Sequence, residues 1–445
     1  MNMHKRKYQI FMLVVICLLF GACAPSGETT MQTAAESTQE SATESAAPET
    51  IAESTQAPDR EVSEVKAGLI LYGEENDGSL LTAALRRGLT DAAAGLGIGE
   101  DQLTFTYNGR EADWTQIEDS ILACVEEGCQ IVFGGAREYE AVIAAIAEEY
   151  PEVMFACVGS ELYNGTNSGT YDISLAAASY LCGAAAAMAD TSGHIGYLAA
   201  KGQGDEDVTN GVNAFAYGVW SVNPQAVVEV GVTGKWFLPQ AEEQAVSELL
   251  SLGCDVFGGN TDSAAGLRAA MAAGVPVVGY RAAGEELYGA DSGSRMTASA
   301  LCRFETYFAM KLSQVIHREV AGEAWNGDYF GGNVEFSGAL ELPEEVWEQL
   351  AVWQPQPETE ESKEIESLPE ETAGPEESVM PEENASSGEE VPPEENTSPS
   401  EGDAPSEENM MPEESESEET AIFVDEETGY LANVRIHLVE VAEEE

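Results

Sequence analysis

The chain of 445 residues carries 81 acidic against 19 basic residues, a net charge of −62, although 43% of it is hydrophobic. A protein this acidic repels phosphate backbones, so charge alone argues against nucleic acid as a partner. The charge is uneven: Pro355–Glu445 holds 31 acidic and 2 basic residues, a composition that cannot bury enough surface to offset chain entropy.

Taken in chain order, Met1-Asn-Met-His-Lys-Arg-Lys7 is followed by an apolar run over Ile10–Phe20 and then Gly21-Ala22-Cys23. A basic start, a short apolar run and small residues make a secretory signal over residues 1–22, too short to span a bilayer comfortably. A Cys placed directly after Gly-Ala resembles the bacterial lipoprotein signal, in which that Cys is lipidated. Phe20 stands where such signals usually carry Leu, and a secretory signal with an incidental Cys is the alternative. The expectation is a lipid anchor at Cys23 on the extracellular face of the cell membrane. Residues 23–64 are rich in Ala, Ser, Thr, Glu, Gln and Pro without apolar periodicity, which reads as a disordered tether.

From Ala67 the pattern alternates. Ala67–Tyr72, Leu103–Tyr107, Gln130–Phe133 and Val153–Val158 are short apolar or β-rich runs, hence strands. Leu81–Ala94, Asp113–Glu127 and Glu138–Tyr150 have apolar residues at helical spacing between them. After Asp172 the rhythm restarts: helix Ser174–Met188, then strands near 195–198, 227–232, 255–257 and 275–280 with helices 208–219, 240–252 and 264–273 between. Two successive runs of β-α units predict an α/β protein of two Rossmann-like lobes, with parallel sheets covered on both faces. Ligands in such sheets bind beyond the carboxyl ends of the strands, so two facing lobes share one cleft. The two-lobed domain is expected over 65–353. Lobe 1 takes about 65–172 and 280–310, and lobe 2 about 173–279 and 311–353.

The eight cysteines include no CxxC and no Cys/His cluster of zinc spacing, and most sit in apolar surroundings that read as buried free thiols. A Cys124–Cys129 disulfide is an open alternative. There is no G-x-S-x-G, Walker A or HExxH, so the chain reads as a binding protein and not an enzyme, with no cofactor and no metal. Gly202-Gln-Gly-Asp-Glu-Asp207 lacks the spacing of a calcium loop and reads as a solvated acidic loop.

Several motifs recur in order: Thr191-Ser-Gly-His-Ile-Gly-Tyr-Leu-Ala199, Asn210-Gly-Val-Asn-Ala-Phe-Ala-Tyr-Gly-Val-Trp-Ser-Val-Asn-Pro224, Gly234-Lys-Trp-Phe237, Gly259-Asn-Thr-Asp-Ser263, Gly274-Val-Pro-Val-Val-Gly-Tyr280 and Trp325-Asn-Gly-Asp-Tyr-Phe-Gly-Gly332. With these, Lys66 to Leu342 resembles the basic membrane protein (BMP) lipoprotein family. The resemblance implies a type I periplasmic-binding-protein fold that crosses between lobes three times. It also implies capture of a purine nucleoside or base, gripped between aromatic rings, for the permease of an ABC importer. The match is partial at the site. Asn76-Asp77-Gly78-Ser79 is present, but Leu80 and Leu81 stand where the family has Phe and Asn, Ala141 where it has an acid, and Arg281 where it often has Asp. Tyr139, Trp236-Phe237 and Asp262 are retained.

The candidate ligand-binding residues are therefore Asn76, Asp77, Ser79, Tyr139, Trp236, Phe237, Asp262 and Arg281. Each has a second reading. Asn76–Ser79 and Asp262 suit helix caps. Tyr139 suits a helix-start surface position, and Trp236 and Phe237 suit core packing. Arg281 suits a salt bridge to Glu285 or Glu286, or capture of a carboxylate or phosphate. Residues 354–420 are expected as a disordered acidic tail. Within 421–445, Ile422–Asp425 and Val434–Val441 alternate around Glu427-Thr-Gly429 and predict a short hairpin. The family does not ordinarily carry such a tail, so the alternative function is a surface sensor or display protein with a repurposed cleft.

Overall fold

The computed structural model describes residues 58–354 and 430–439, apart from Gln203, Ala283, Asp291, Ala339, Val352 and Trp353. The signal peptide, Cys23, the tether up to residue 57 and the stretch 355–429 lie outside the described residues. So does the first arm of the expected hairpin.

The apolar runs become two mostly parallel sheets. The first contains β1 (Ala67–Tyr72), β2 (Leu103–Asn108), β3 (Ile131–Gly134), β4 (Met154–Val158), β5 (Ser168–Ile173) and β11 (Ala324–Gly327), in the order β11-β5-β4-β3-β1-β2. The second contains β6 (His194–Ala199), β7 (Val227–Val232), β8 (Phe257–Gly259), β9 (Val277–Gly279), β10 (Met296–Cys302), β12 (Val334–Gly338) and β13 (Val434–Leu438), in the order β12-β10-β9-β8-β6-β7-β13. Burial on both faces explains why the central strands β1, β3 and β4 read as unbroken apolar runs and not as alternating ones.

The intervening helices are α1 (Leu80–Gly95), α2 (Trp114–Glu126), α3 (Glu140–Glu149), α4 (Ala176–Ala189), α5 (Glu206–Val222), α6 (Pro239–Ser251), α7 (Ala265–Ala272), α8 (Glu305–Ile316) and α9 (Glu344–Leu350). Their starts follow capping chemistry: the Ser79, Asp113 and Asp205 side chains accept from backbone N–H groups of α1, α2 and α5. The small residues of α4 have a packing purpose. A Cβ on Gly183 would lie 2.0 Å from the Phe215 carbonyl oxygen, and one on Gly218 1.9 Å from that of Tyr180. Only glycine lets α4 and α5 approach this closely beneath the second sheet.

The chain passes between the sheets three times: after β5, after β10, and between β11 and β12. This corrects the expected lobe boundaries. Residues 296–302, assigned to the first lobe by sequence, pair with β9 and β12 in the second sheet. Conversely, α8 packs against α1 and β11 pairs with β5, so much of 305–327, expected in the second lobe, builds the first. Pairing partners far apart in sequence decide this, and local periodicity carries no trace of them.

Two edges of the expected domain also move. Residues 58–64, read as tether, dock on the end of α8: the Arg60 N–H donates to Ile316 O at 2.7 Å, and Arg318 Nε to Pro58 O at 2.8 Å. At the other end, β13 adds to β7 as a parallel edge strand. Its side chains converge on Glu229, which is 2% exposed: His437 Nε2 and Arg435 Nη1 lie 2.7 and 3.2 Å from its oxygens, beside His194 Nδ1 at 3.0 Å. Since α9 packs on α4 and α5, the described segments on either side of 355–429 belong to the same lobe. The six cysteines from Cys124 to Cys302 are free and buried.

Candidate functional site

The carboxyl ends of both sheets border one cleft, where two chambers of about 230 and 330 Å³ adjoin. Both are bordered by Asp172, Asp207, Trp236 and Arg281. The smaller adds Tyr72, Arg137 and Lys201. The larger adds Asn210, Asn260, Tyr280 and Asn326. An aromatic face amid a few converging charged and amide groups is the usual make-up of a small-molecule site.

The first-lobe loop is largely engaged with protein. Asn76 sits at φ 63°, a left-handed position that Asn tolerates, and with Asp77 it lines a separate outer groove. Asp77 Oδ1 accepts from the Ser79 N–H at 2.9 Å, and its Oδ2 accepts from Arg110 Nη1 at 2.5 Å. Arg110 in turn lies 3.4 Å from the ring centroid of Phe237, joining the lobes by a cation–π contact just outside the chambers.

Ser79 and Asp262 lie at the chamber wall and hold the lobes together. Ser79 Oγ donates to Asp262 Oδ2 at 2.6 Å, and the Leu81 N–H donates to Asp262 Oδ1 at 2.7 Å. The backbones are joined as well, Leu80 N to Asp262 O at 2.8 Å and Ala264 N to Gly78 O at 3.3 Å. The capping reading of Asp262 takes an unexpected form, because it caps a helix of the opposite lobe. Burial raises its pKa, with Arg281 opposing.

Tyr139 is not a surface residue, and it borders neither chamber. It is 1% exposed, donates its hydroxyl to Leu71 O at 3.2 Å and packs edge-on against Tyr72. The short turn Arg137–Tyr139 ahead of α3 swings it into the core, a placement helical periodicity does not reveal.

Arg281 is half-buried. Its backbone φ of 60° is a strained conformation for a residue with a Cβ. Its guanidinium lies 5.8 Å from the Trp236 ring centroid and 5.3 Å from that of Tyr280. Burial would lower its pKa, but Tyr280, Cys302, Asp262 and Asp172 outweigh that and hold it above its ordinary value. The side chains of Glu285 and Glu286, its expected partners, lie outside the described residues. Among the described residues the Arg281 side chain makes no hydrogen bond or ion pair.

Sequence reasoning did not single out Asp172, Asp207, Asn210, Asn260 or Asn326 as site residues. Their signal was position: Asp172 lies at the end of β5, and Asn260 and Tyr280 directly follow β8 and β9. The loop 202–207, read as merely solvated, contributes Asp205 and Asp207 to the cleft, with Asp205 paired to Lys201 at 3.0 Å. Burial raises the pKa of Asp172, whose Oδ1 accepts from the Ile173 N–H at 2.7 Å. Among the described residues, no group of three or more metal-ligating side chains is assembled.

Comparison with known proteins agrees with this architecture. A solute-binding protein of an ABC transporter system from Conexibacter woesei superposes with a TM-score of 0.51 at 22% identity, over 68% of this chain and 98% of that one. One from Aeropyrum pernix gives 0.51 at 18%, over 69% and 82%. Both bear on the fold, a periplasmic-binding-protein clamp of two α/β lobes. TsgA13 of Haloferax volcanii, whose name assigns it to glucose binding for an ABC transporter, is 30% identical over 51% of this chain and 56% of its own. A purine-binding protein of Brucella abortus is 27% identical over 40% and 50%. The chain thus spans about half the length of these curated relatives. The family of PnrA-like ABC transporter substrate-binding proteins (Bmp) matches residues 92–366. These are solute-binding proteins and not enzymes, and the chain belongs to that family.

Proposed function

We propose that this protein captures a purine nucleoside or base outside the cell, anchored to the membrane by a lipid on Cys23, and delivers it to the permease of an ABC importer. The observation that carries the reading is the paired chamber at the strand ends. It offers the Trp236 face for stacking, with Asp172, Asp207, Asn210 and Asn260 within reach of a base edge and ribose hydroxyls. Aromatic stacking on a base contributes about 1–3 kcal/mol, and amide and carboxylate groups suit vicinal hydroxyls. The purine-binding relative supports the same reading. No helix among the described residues is long and apolar enough to cross a membrane; the attachment proposed is the lipid on Cys23.

A sugar is the second reading, favoured by the relative named for glucose and by the asparagines of the larger chamber. Thermal-shift titration separates the two, because a ligand that binds only the folded state raises the midpoint as it saturates. A rise with inosine, guanosine or adenosine and none with hexoses supports the purine reading. The reverse pattern replaces it with the sugar. Cys23→Ala, expressed in a lipoprotein-processing bacterium, should move the protein from the membrane fraction to the medium. Retention in the membrane would overturn the anchor.

A further inference from the structure

The Arg281 guanidinium is held in place by protein yet has unused donors. The turn after β9 fixes its left-handed backbone through Ala282 N to Tyr280 O at 2.6 Å and Cys302 N to Arg281 O at 2.9 Å. Two aromatic rings flank the side chain. Asp172 and Asp262 are close enough to raise its pKa, yet neither closes an ion pair with it within 4.0 Å. Both Asp262 oxygens are already occupied by Ser79 and Leu81. Asp172 has one oxygen on the Ile173 N–H and its second without a hydrogen bond among the described residues. The chamber therefore presents a planar fork of N–H donors, a carboxylate oxygen as acceptor, and the Trp236 face beside them. The chamber wall carries five acidic side chains, Glu138, Asp172, Asp205, Asp207 and Asp262, against three basic ones, Arg137, Lys201 and Arg281, which argues for a neutral ligand and against a phosphate.

A guanidinium fork pairs best with two acceptors lying side by side in one plane. A 6-oxopurine offers that pair in O6 and N7, whereas a 6-aminopurine puts an N–H₂ donor beside N7. Against adenine one guanidinium N–H would face another donor and stay unpaired, which is costly in a desolvated site. The N1–H of a 6-oxopurine is a donor that an acceptor such as Asp172 suits. We infer that Arg281 makes this cleft selective for 6-oxopurines, free or as nucleosides, over 6-aminopurines. The inference rests on the purine reading above and adds the face of the purine that is read.

Isothermal titration of the full chain with guanosine, inosine and adenosine tests it. A bidentate arginine contact discriminates by roughly 10- to 100-fold, so guanosine and inosine should bind that much more tightly than adenosine. Arg281→Gln should remove most of this preference. Because that variant leaves two carboxylates uncompensated and could fold poorly, 7-deazaguanosine is titrated against the unaltered protein as well. Lacking the N7 acceptor, it should bind at least about tenfold more weakly than guanosine. Equal binding of guanosine and adenosine would overturn the inference and leave the purine reading standing. A preference that survives both Arg281→Gln and loss of N7 would remove Arg281 from the role. Failure of every purine to bind would overturn inference and reading together.

Discussion

The two walls of the cleft differ in what their polar groups do. On the first-lobe side, Asp77 is occupied by Ser79 and Arg110, and Ser79 by Asp262. On the opposite wall, Asp207 and Asn210 border open space, and Arg281 has no hydrogen-bonded partner among the described residues. Asp172, at the end of a first-sheet strand, faces that same space. Groups that are satisfied internally contribute rigidity and register. Groups left open contribute recognition, because a ligand supplies the partners they lack. The first-lobe loop is thus a clasp, and the proposed recognition falls to the chamber around Trp236 and Arg281.

The largest test of this division concerns what holds the second wall. Glu242 is fully buried at the start of α6, and its Oε2 accepts from the Gly266 N–H at 3.3 Å behind the loop that carries Asp262. Burial pushes its carboxyl up from 4.5 to about 7. Between these values the folded chain binds more protons than the unfolded one, so this group's contribution falls as pH rises through the window and is constant above it. A gap of this size corresponds to about 3 kcal/mol. Many other carboxylates ionise in the same range, so the quantity to measure is the difference between the protein and Glu242→Gln in urea unfolding at pH 5 and pH 8. The variant should be the more stable of the two at pH 8 by roughly that amount, with the advantage shrinking toward pH 5. Parallel curves would mean that Glu242 is not held protonated.

Next in size is the aromatic face. Trp236→Ala should weaken purine binding by about 10- to 100-fold, the range set by base stacking, with little change in the unfolding midpoint because Trp236 is only partly buried. A large loss of stability with unchanged affinity would make Trp236 a core residue and move recognition elsewhere. Asp262→Asn tests the clasp itself. It loses one of two interlobe hydrogen bonds made to a charged acceptor, worth about 1.5–3 kcal/mol each. Since a ligand binds the closed form, depleting that form weakens every ligand by a common factor, here about tenfold. Calorimetry on a series of nucleosides, together with small-angle scattering of the ligand-free protein, would check both the uniform factor and a more open average shape. A factor that varied strongly between ligands would make Asp262 a recognition group.

This division explains what could be read in advance. Alternating strands and helices follow from local periodicity, and nearly every element from β1 to β9 was legible that way. The exception, β5, is Ser168-Gly-Thr-Tyr-Asp-Ile173, polar and glycine-bearing; only pairing with β4 and β11 makes it a strand. Asp172 went unrecognised as a site residue for the same reason. Trp236, Ser79, Asp262 and Arg281 could be placed at the cleft in advance because they follow strand ends. Whether such a residue meets ligand or protein depends on the opposite lobe, which lies up to 183 residues away in the Ser79–Asp262 contact, and no local pattern encodes that.

The smallest expected effect separates the two walls most cleanly. Asp77 was expected at the ligand, yet it borders the outer groove and neither chamber, and it caps the turn before α1. Asp77→Asn preserves the shape and an acceptor for the Ser79 N–H but removes the charge opposite Arg110. That pair is partly exposed, at 21% and 14%, so its loss is worth about 1 kcal/mol or less in stability. Affinity for a purine should change by less than about threefold, because no chamber atom moves and Arg110 keeps its contact with Phe237. If calorimetry instead found Asp77→Asn as damaging as Trp236→Ala, the first-lobe loop would have to release Asp77 and turn it toward the ligand on binding. The clasp would then be a feature of the empty protein alone.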